Sequence, residues 1–321
     1  MEGDAMKRIL VTGAAGFIGF HCARHHKNRG DFVVGYDNFN DYYDPTLKRD
    51  RAKVLEDEGI TVIEGDICDG KSVASVIDDN AITHVLHLAA QAGVRYSLEN
   101  PQAYITSNIE GFVTMMEVLR ERSSIPFIYA SSSSIYGLNE KVPFSVDDVT
   151  ETPVSLYGAT KKSNELMAHA YHHLFGIPVT GLRFFTVYGP WGRPDMACFL
   201  FVKKILEGTP IDVYNNGKLS RDFTYVDDIV NGVAAAIDLG AGCEVFNLGN
   251  NKPEKLEDFI AIIEKSLDIP AKKNYMPMQD GDVLRTYADI EHSTELLGFE
   301  PKISLEDGVA KFVDWYKGYY G

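Results

Sequence analysis

The run Tyr157-Gly158-Ala159-Thr160-Lys161 sets a phenol and an ammonium four residues apart, which on a helix puts both on one face. A tyrosine with its ordinary pKa of about 10 is a poor base near neutrality, so it needs a nearby cation before it can take a proton from an alcohol. Lys161 supplies that charge. By itself such a pair is common by chance and reads more readily as two surface residues. It is preceded, however, by an apolar run, Phe127 to Ala130, that leads into Ser131-Ser132-Ser133-Ser134. Hydroxyls at the end of a buried strand are where a parallel α/β sheet presents groups to a ligand.

A second constellation lies near the amino terminus. Thr12-Gly13-Ala14-Ala15-Gly16-Phe17-Ile18-Gly19 is a GxxGxxG that follows one apolar run and opens a helical one. Glycine suits a tight turn that must approach a diphosphate closely, and helix N-terminal N–H groups receive its charge. A turn that merely packs helix on strand would look similar. Asp37 closes the next apolar run, where a carboxylate meets adenosine ribose hydroxyls and repels a 2′-phosphate, which favours NAD over NADP. Asp66, in Gly65-Asp66-Ile67, reads either as an acceptor for an adenine amino group or as a turn cap. The nine histidines, among them His21, His25, His26, His169, His172 and His173, show no carboxylate trio beside them and read as packing or solvated residues rather than metal ligands.

Positioning these groups requires a sheet. Ile9 to Thr12, Phe32 to Tyr36, Thr61 to Ile63, His84 to Leu88, Phe127 to Ala130 and Val179 to Arg183 are short apolar runs with amphipathic segments between them, the pattern of βαβ units in a parallel sheet covered on both faces. The expected fold is therefore α/β, a Rossmann-like doubly wound parallel sheet followed by a smaller α/β domain. After Gly189 the rhythm loosens, and helices are expected near Cys198 to Leu206, Val226 to Leu239, Leu256 to Leu267, Ile290 to Leu296 and Leu305 to Tyr316. Val245 to Gly249 reads as a buried strand. The expected organisation is a dinucleotide-binding unit over residues 1–182, with a segment near 224–250 returning to it, and a mainly substrate-binding unit over 183–321.

With 321 residues and 45% hydrophobic content, the chain can bury a large core. A net charge of −15 argues against general nucleic-acid or anionic-membrane binding. Met1 to Lys7 lacks the pattern of a secretion signal, no stretch is apolar enough to span a bilayer, and a cytoplasmic location is expected. Met1 to Ala5 read as an extension ahead of the first strand. Cys22, Cys68, Cys198 and Cys243 form no CxxC pair and read as reduced packing residues.

With the glycine loop, serine run and YxxxK in this order, the chain resembles the extended short-chain dehydrogenase/reductases from Lys7 to the C-terminus. Asp37 to Pro45 (DNFNDYYDP), His87 to Tyr96 (HLAAQAGVRY) and Arg183 to Ala197 (RFFTVYGPWGRPDMA) are similar to signatures of the UDP-glucuronate 4-epimerase group of that family. The resemblance implies Tyr157 as base and acid, Lys161 as its electrostatic partner and a cofactor ribose ligand, and Ser132 as the hydroxyl on the sugar oxygen. It implies NAD contacts from Gly13, Gly16, Phe17, Ile18, Gly19, Asp37, Asn38, Asp66, Ile67, Leu88, Ala89, Ala90, Gln91 and Asn108, the last a structural asparagine. Arg221 matches a diphosphate-binding arginine and Asp282 a uridine ribose ligand.

Within the family, 4,6-dehydratases carry Asp-Glu and glucuronate decarboxylases a Glu just after the catalytic hydroxyl, whereas this chain has Ser133 and Ser134. Thr186 stands where many neutral-sugar epimerases have Asn. Thr186, Ser133, Ser134 and Arg193 are expected to grip a sugar carboxylate through hydroxyl donors and one cation, with Arg95 as a further candidate; Arg193 reads alternatively as a turn residue paired with Asp195. Cys198 and Arg285 depart from the group's aromatic and smaller residues on the uridine side. The implied activity is NAD-dependent 4-epimerisation of UDP-glucuronate to UDP-galacturonate through a 4-keto sugar, by a homodimer built on helices around Ala103 to Arg122 and Tyr157 to Phe175. The alternatives are a UDP-glucose or UDP-N-acetylglucosamine 4-epimerase, a UDP-glucuronate decarboxylase, and a cofactor-sensing scaffold without catalysis.

Overall fold

The computed structural model describes residues 6–240, 242–279 and 281–321; the extension read at Met1 to Ala5 lies outside them. The strands are β1 (Arg8–Thr12), β2 (Phe32–Asp37), β3 (Thr61–Glu64), β4 (His84–His87), β5 (Phe127–Ser132), β6 (Val179–Phe184), β7 (Thr186–Tyr188), β8 (Ile211–Val213), β9 (Ser220–Tyr225), β10 (Cys243–Leu248), β11 (Pro253–Lys255) and β12 (Lys273–Tyr275). Seven of them make one parallel sheet in the order β10-β6-β5-β4-β1-β2-β3. The chain fills β1, β2 and β3 outward, then crosses to β4 on the other side of β1. A crevice opens where the connections diverge, and ligands bind there in sheets of this kind.

Strand alternation feeds two cores. Ile9, Val11 and Val33 point to one face, packed with the helices Phe17–Asn28 and Val226–Leu239. Leu10, Val34 and Val85 point to the other, under the helices Gly70–Asp79, Gly111–Arg120 and Leu156–Phe175. Central strands buried on both faces read as unbroken apolar runs. At the sheet edge, β3 leaves Thr61 and Glu64 exposed rather than buried throughout, because it has only one neighbour. The Val245 to Gly249 run is β10, seated beside β6.

Beyond β6 the chain forms a three-stranded sheet of order β11-β9-β7 and the pair β12-β8. The last helix runs from Leu305 to Tyr320, a turn longer than the sequence pattern, and its added aromatics pack on Phe199 and Trp191. No helix among the described residues is long and apolar enough to cross a membrane.

Candidate active site

The first turn of the site forms where β1 gives way to the helix Phe17–Asn28. Gly13 has φ +72°, and a Cβ there would lie 2.7 Å from the Ala89 backbone nitrogen; a Cβ on Gly19 would lie 2.1 Å from the Gly13 carbonyl. Only glycine lets this turn close against the β4 loop and the helix at once. Asp37, at the end of β2, accepts from the Ala15 amide at 3.0 Å and the Phe39 amide at 2.9 Å. Burial pushes its carboxyl upward, opposed by the Phe39 bond and by Lys48.

One cavity of about 910 Å³ runs along the carboxyl ends of β1, β2, β4, β5 and β6. Around the glycine turn it is walled by Gly13, Gly16, Phe17, Ile18, Gly19, Asp37, Asn38, Ile67 and Leu88 to Gln91. Asp66 is not in the wall. Its carboxylate receives the Cys68 amide and the Asn38 side-chain amide, both at 2.9 Å, which is the turn-cap use. Asn108 is likewise outside the wall and buried: its side chain bonds the Gln91 backbone through both ends, at 2.8 and 3.0 Å, and donates to Thr160 at 3.0 Å. It ties the β4 loop to the Tyr157 helix.

That helix, Leu156–Phe175, starts because the Ser155 hydroxyl accepts from the Gly158 amide at 3.0 Å, and it stops at Gly176 in the left-handed region. Strand β5 extends through Ser132, further than the apolar run, because Ser131 and Ser132 still pair with Arg183 and Phe184 of β6. Ser132 then caps a single turn, accepting from the Ser134 amide at 3.1 Å. Ser132 and Tyr157 line the same cavity: burial raises the phenol pKa, while the nearby Ser132 hydroxyl and the charge of Arg193 draw it back down. Lys161 is buried, donates to the Ala130 carbonyl at 2.9 Å, and has its pKa lowered by burial to about 8. Arg193 thus adds its charge to that of Lys161, which lies one turn further along the Tyr157 helix.

The cavity is also lined by Ser133, Ser134, Thr186, Arg193, Arg95, Arg221 and Asp282. Arg193 pairs with Asp195, at 2.5 and 3.0 Å, as the turn-residue reading has it, and its side chain also lines the cavity. Burial would lower its pKa, and Asp195 holds it high instead. Arg221 and Asp282, expected on different parts of a ligand, bond each other at 2.6 Å. Arg95 stacks over Tyr214 at 5.2 Å. Cys198 and Arg285 do not line the cavity; the thiol is buried behind it and the guanidinium is exposed beside Tyr287.

Several participants were missed in the sequence. Tyr42 donates to Asp195 at 3.0 Å, with its own pKa pushed up to about 12 by burial and by Asp195. Tyr104 packs edge-on to Tyr157, ring centroids 6.1 Å apart, and donates to the Ala92 carbonyl at 3.0 Å. Glu165 receives Ser131 at 2.6 Å and a two-pronged Arg183, at 2.9 and 3.0 Å, fixing the serine strand from behind. Glu165 was legible, two turns after Tyr157 on the same helix face; Tyr42 and Tyr104 carry no spacing signal. No group of three His, Cys, Asp or Glu among the described residues could hold a metal.

A Rossmann-like sheet with Ser132, Tyr157 and Lys161 at its carboxyl edge defines a dinucleotide site of the short-chain dehydrogenase/reductase type. The chain belongs to the NAD dependent epimerase/dehydratase family, whose profile matches residues 9–249. UDP-glucuronate 4-epimerase 1 of Arabidopsis thaliana is 51% identical over 98% of this chain and 77% of its own length. An uncharacterized protein of Methanocaldococcus jannaschii is 53% identical over 97% of this chain and 96% of its own. Among solved structures, the Bacillus cereus UDP-glucuronic acid 4-epimerase in complex with UDP-glucuronic acid and NAD has a TM-score of 0.92 and 38% identity, covering 98% of this chain and all of that one.

Proposed function

We propose that this protein is an NAD-dependent isomerase that interconverts UDP-glucuronate and UDP-galacturonate by inverting C4. The observation that carries the reading is that Tyr157 and Ser132 line one cavity with Arg193 and Thr186, so a proton-transfer group and a cation able to receive a carboxylate face the same space. The substrate named for the Arabidopsis and Bacillus relatives supports it. The glycine turn and Asp37 fit a dinucleotide, since a Cβ at Gly13 or Gly19 would fill the cradle. Phe17 and Ile18 amides would receive the diphosphate, Asp37 the adenosine ribose, and Lys161 the second ribose. Bound NAD supplies acceptor and donor for the C4 hydride.

The chain's own residues do the rest. Tyr157 takes the C4 hydroxyl proton, with Ser132 bonding the same oxygen, and returns a proton after the 4-keto sugar has turned over. Arg221 and Asp282 anchor the UDP end. A 4-ketone makes the sugar carboxylate a β-keto acid, prone to lose carbon dioxide when its carbon–carbon bond aligns with the carbonyl π system. Ser133, Ser134, Thr186 and Arg193 hold it out of that alignment, and no carboxylate stands at Ser133 or Ser134 to assist a different reaction.

The protein is proposed to act as a cytoplasmic homodimer through the helices spanning 101–120 and 156–175, where Ile105, Leu166 and Leu174 are exposed. Purified protein is expected to release NAD on mild denaturation and to sediment as a dimer at micromolar concentration. Release of NADP, or full activity with no dinucleotide, contradicts the cofactor assignment; a monomer mass contradicts the dimer.

A further inference from the structure

Arg51 sits on the helix Pro45–Asp57, outside the cavity wall, and nothing in the proposed reaction uses it. It has no solvent exposure. A guanidinium taken out of water is costly unless fully bonded or paired with a counter-charge, yet no carboxylate bonds this one among the described residues. Its Nη1 donates to the Ala15 carbonyl at 2.9 Å and the Tyr43 hydroxyl at 2.8 Å. Its Nη2 donates to the carbonyls of Trp191 at 2.6 Å and Gly192 at 3.3 Å. Nε is buried with no partner among the described residues.

Those acceptors belong to three separate segments that the one side chain bonds together. Ala15 is in the glycine turn. Tyr43 adjoins Tyr42, which donates to Asp195. Trp191 and Gly192 lead directly into Arg193. Trp191 has φ +59°, in the left-handed region that is costly for a bulky residue. Its shape is held on one side by Arg51 and on the other by its indole, packed against Phe20, Trp315 and Tyr319 at 5.1 to 5.5 Å between centroids.

We infer that Arg51 is the positioning residue for carboxylate selectivity: its fork holds the Arg193–Asp195 pair in register with the glycine turn, so that dinucleotide binding and recognition of the sugar acid are coupled. This rests on the glucuronate reading above. A planar fork spans two acceptor sets that a lysine point charge does not.

The test uses holoenzyme carrying Arg51→Met and Arg51→Lys, with kcat and KM measured for UDP-glucuronate and UDP-glucose and the NAD retained after gel filtration measured separately. In both variants the preference for UDP-glucuronate is expected to fall by about tenfold through a higher KM, while kcat/KM for UDP-glucose stays within about threefold of wild type and NAD retention drops. If Arg51→Met does not fold, Arg51→Lys carries the comparison. An unchanged preference with NAD retained, or an equal loss on both substrates, overturns the inference. If wild-type protein shows no preference at all, it is the substrate reading that fails, and this inference falls with it.

Discussion

Asp195 closes two bonds on the Arg193 guanidinium, to Nε at 3.0 Å and to Nη2 at 2.5 Å, and does not engage Nη1. The pair is nearly neutral as a unit, with its cationic member oriented and its anionic member beside the place proposed for the sugar carboxylate. Arg193→Ala therefore does two things: it removes a charge-assisted donor and leaves Asp195 to repel the substrate. The single variant is expected to lose about 10- to 100-fold in kcat/KM for UDP-glucuronate, from the roughly 1.5–3 kcal/mol of such a bond. Arg193→Ala/Asp195→Ala should recover part of that loss, by about tenfold, as expected for coupled neighbours. Additive losses in steady-state kinetics would show that the two act independently.

Tyr157→Phe removes the proton carrier and little contact area. The kcat for UDP-glucuronate should fall by about 10²- to 10⁴-fold, the usual worth of general acid–base catalysis, with the substrate Kd nearly unchanged. Calorimetric titration alongside turnover checks both; a wild-type rate rules Tyr157 out as the base.

Lys161 gives the pH dependence a sign. Its pKa is lowered by burial to about 8, against 10.5 for the free side chain. Between those values the unfolded chain binds the proton and the native protein does not, so this group's contribution to stability rises with pH across that window. Below about 8 the cost of burying its charge is fully present. Activity should do the opposite, falling as the ammonium is lost above about pH 8. Rate and melting temperature measured together from pH 7 to 9.5 test this. A fall in both together would mean unfolding rather than titration, and Lys161→Met should flatten the rate profile.

Much of the main sheet was legible because parallel strands buried on two faces produce unbroken apolar runs, and because a glycine turn has no cheaper substitute at Gly13 and Gly19. Local spacing also located Tyr157 and Lys161 on a shared helix face. What the sequence could not assign was partnership across segments. Asp66 was left open between adenine and turn, and its carboxylate is used by Cys68 and Asn38; Arg221 and Asp282 were given separate roles and bond each other. Tyr42 and Arg51 reach Asp195 and Trp191 across more than a hundred residues, a distance over which no periodicity carries information.

The most direct measurement is to incubate the purified protein separately with UDP-glucuronate and UDP-glucose and to separate the products. UDP-glucuronate should yield UDP-galacturonate, with a preference over UDP-glucose on the order of 10- to 100-fold, because Arg193 and Thr186 lose their partner when a hydroxymethyl replaces the carboxylate. Stoichiometric carbon dioxide and a UDP-pentose would instead make the protein a decarboxylase, and faster turnover of UDP-glucose would mean that the carboxylate site does not exist.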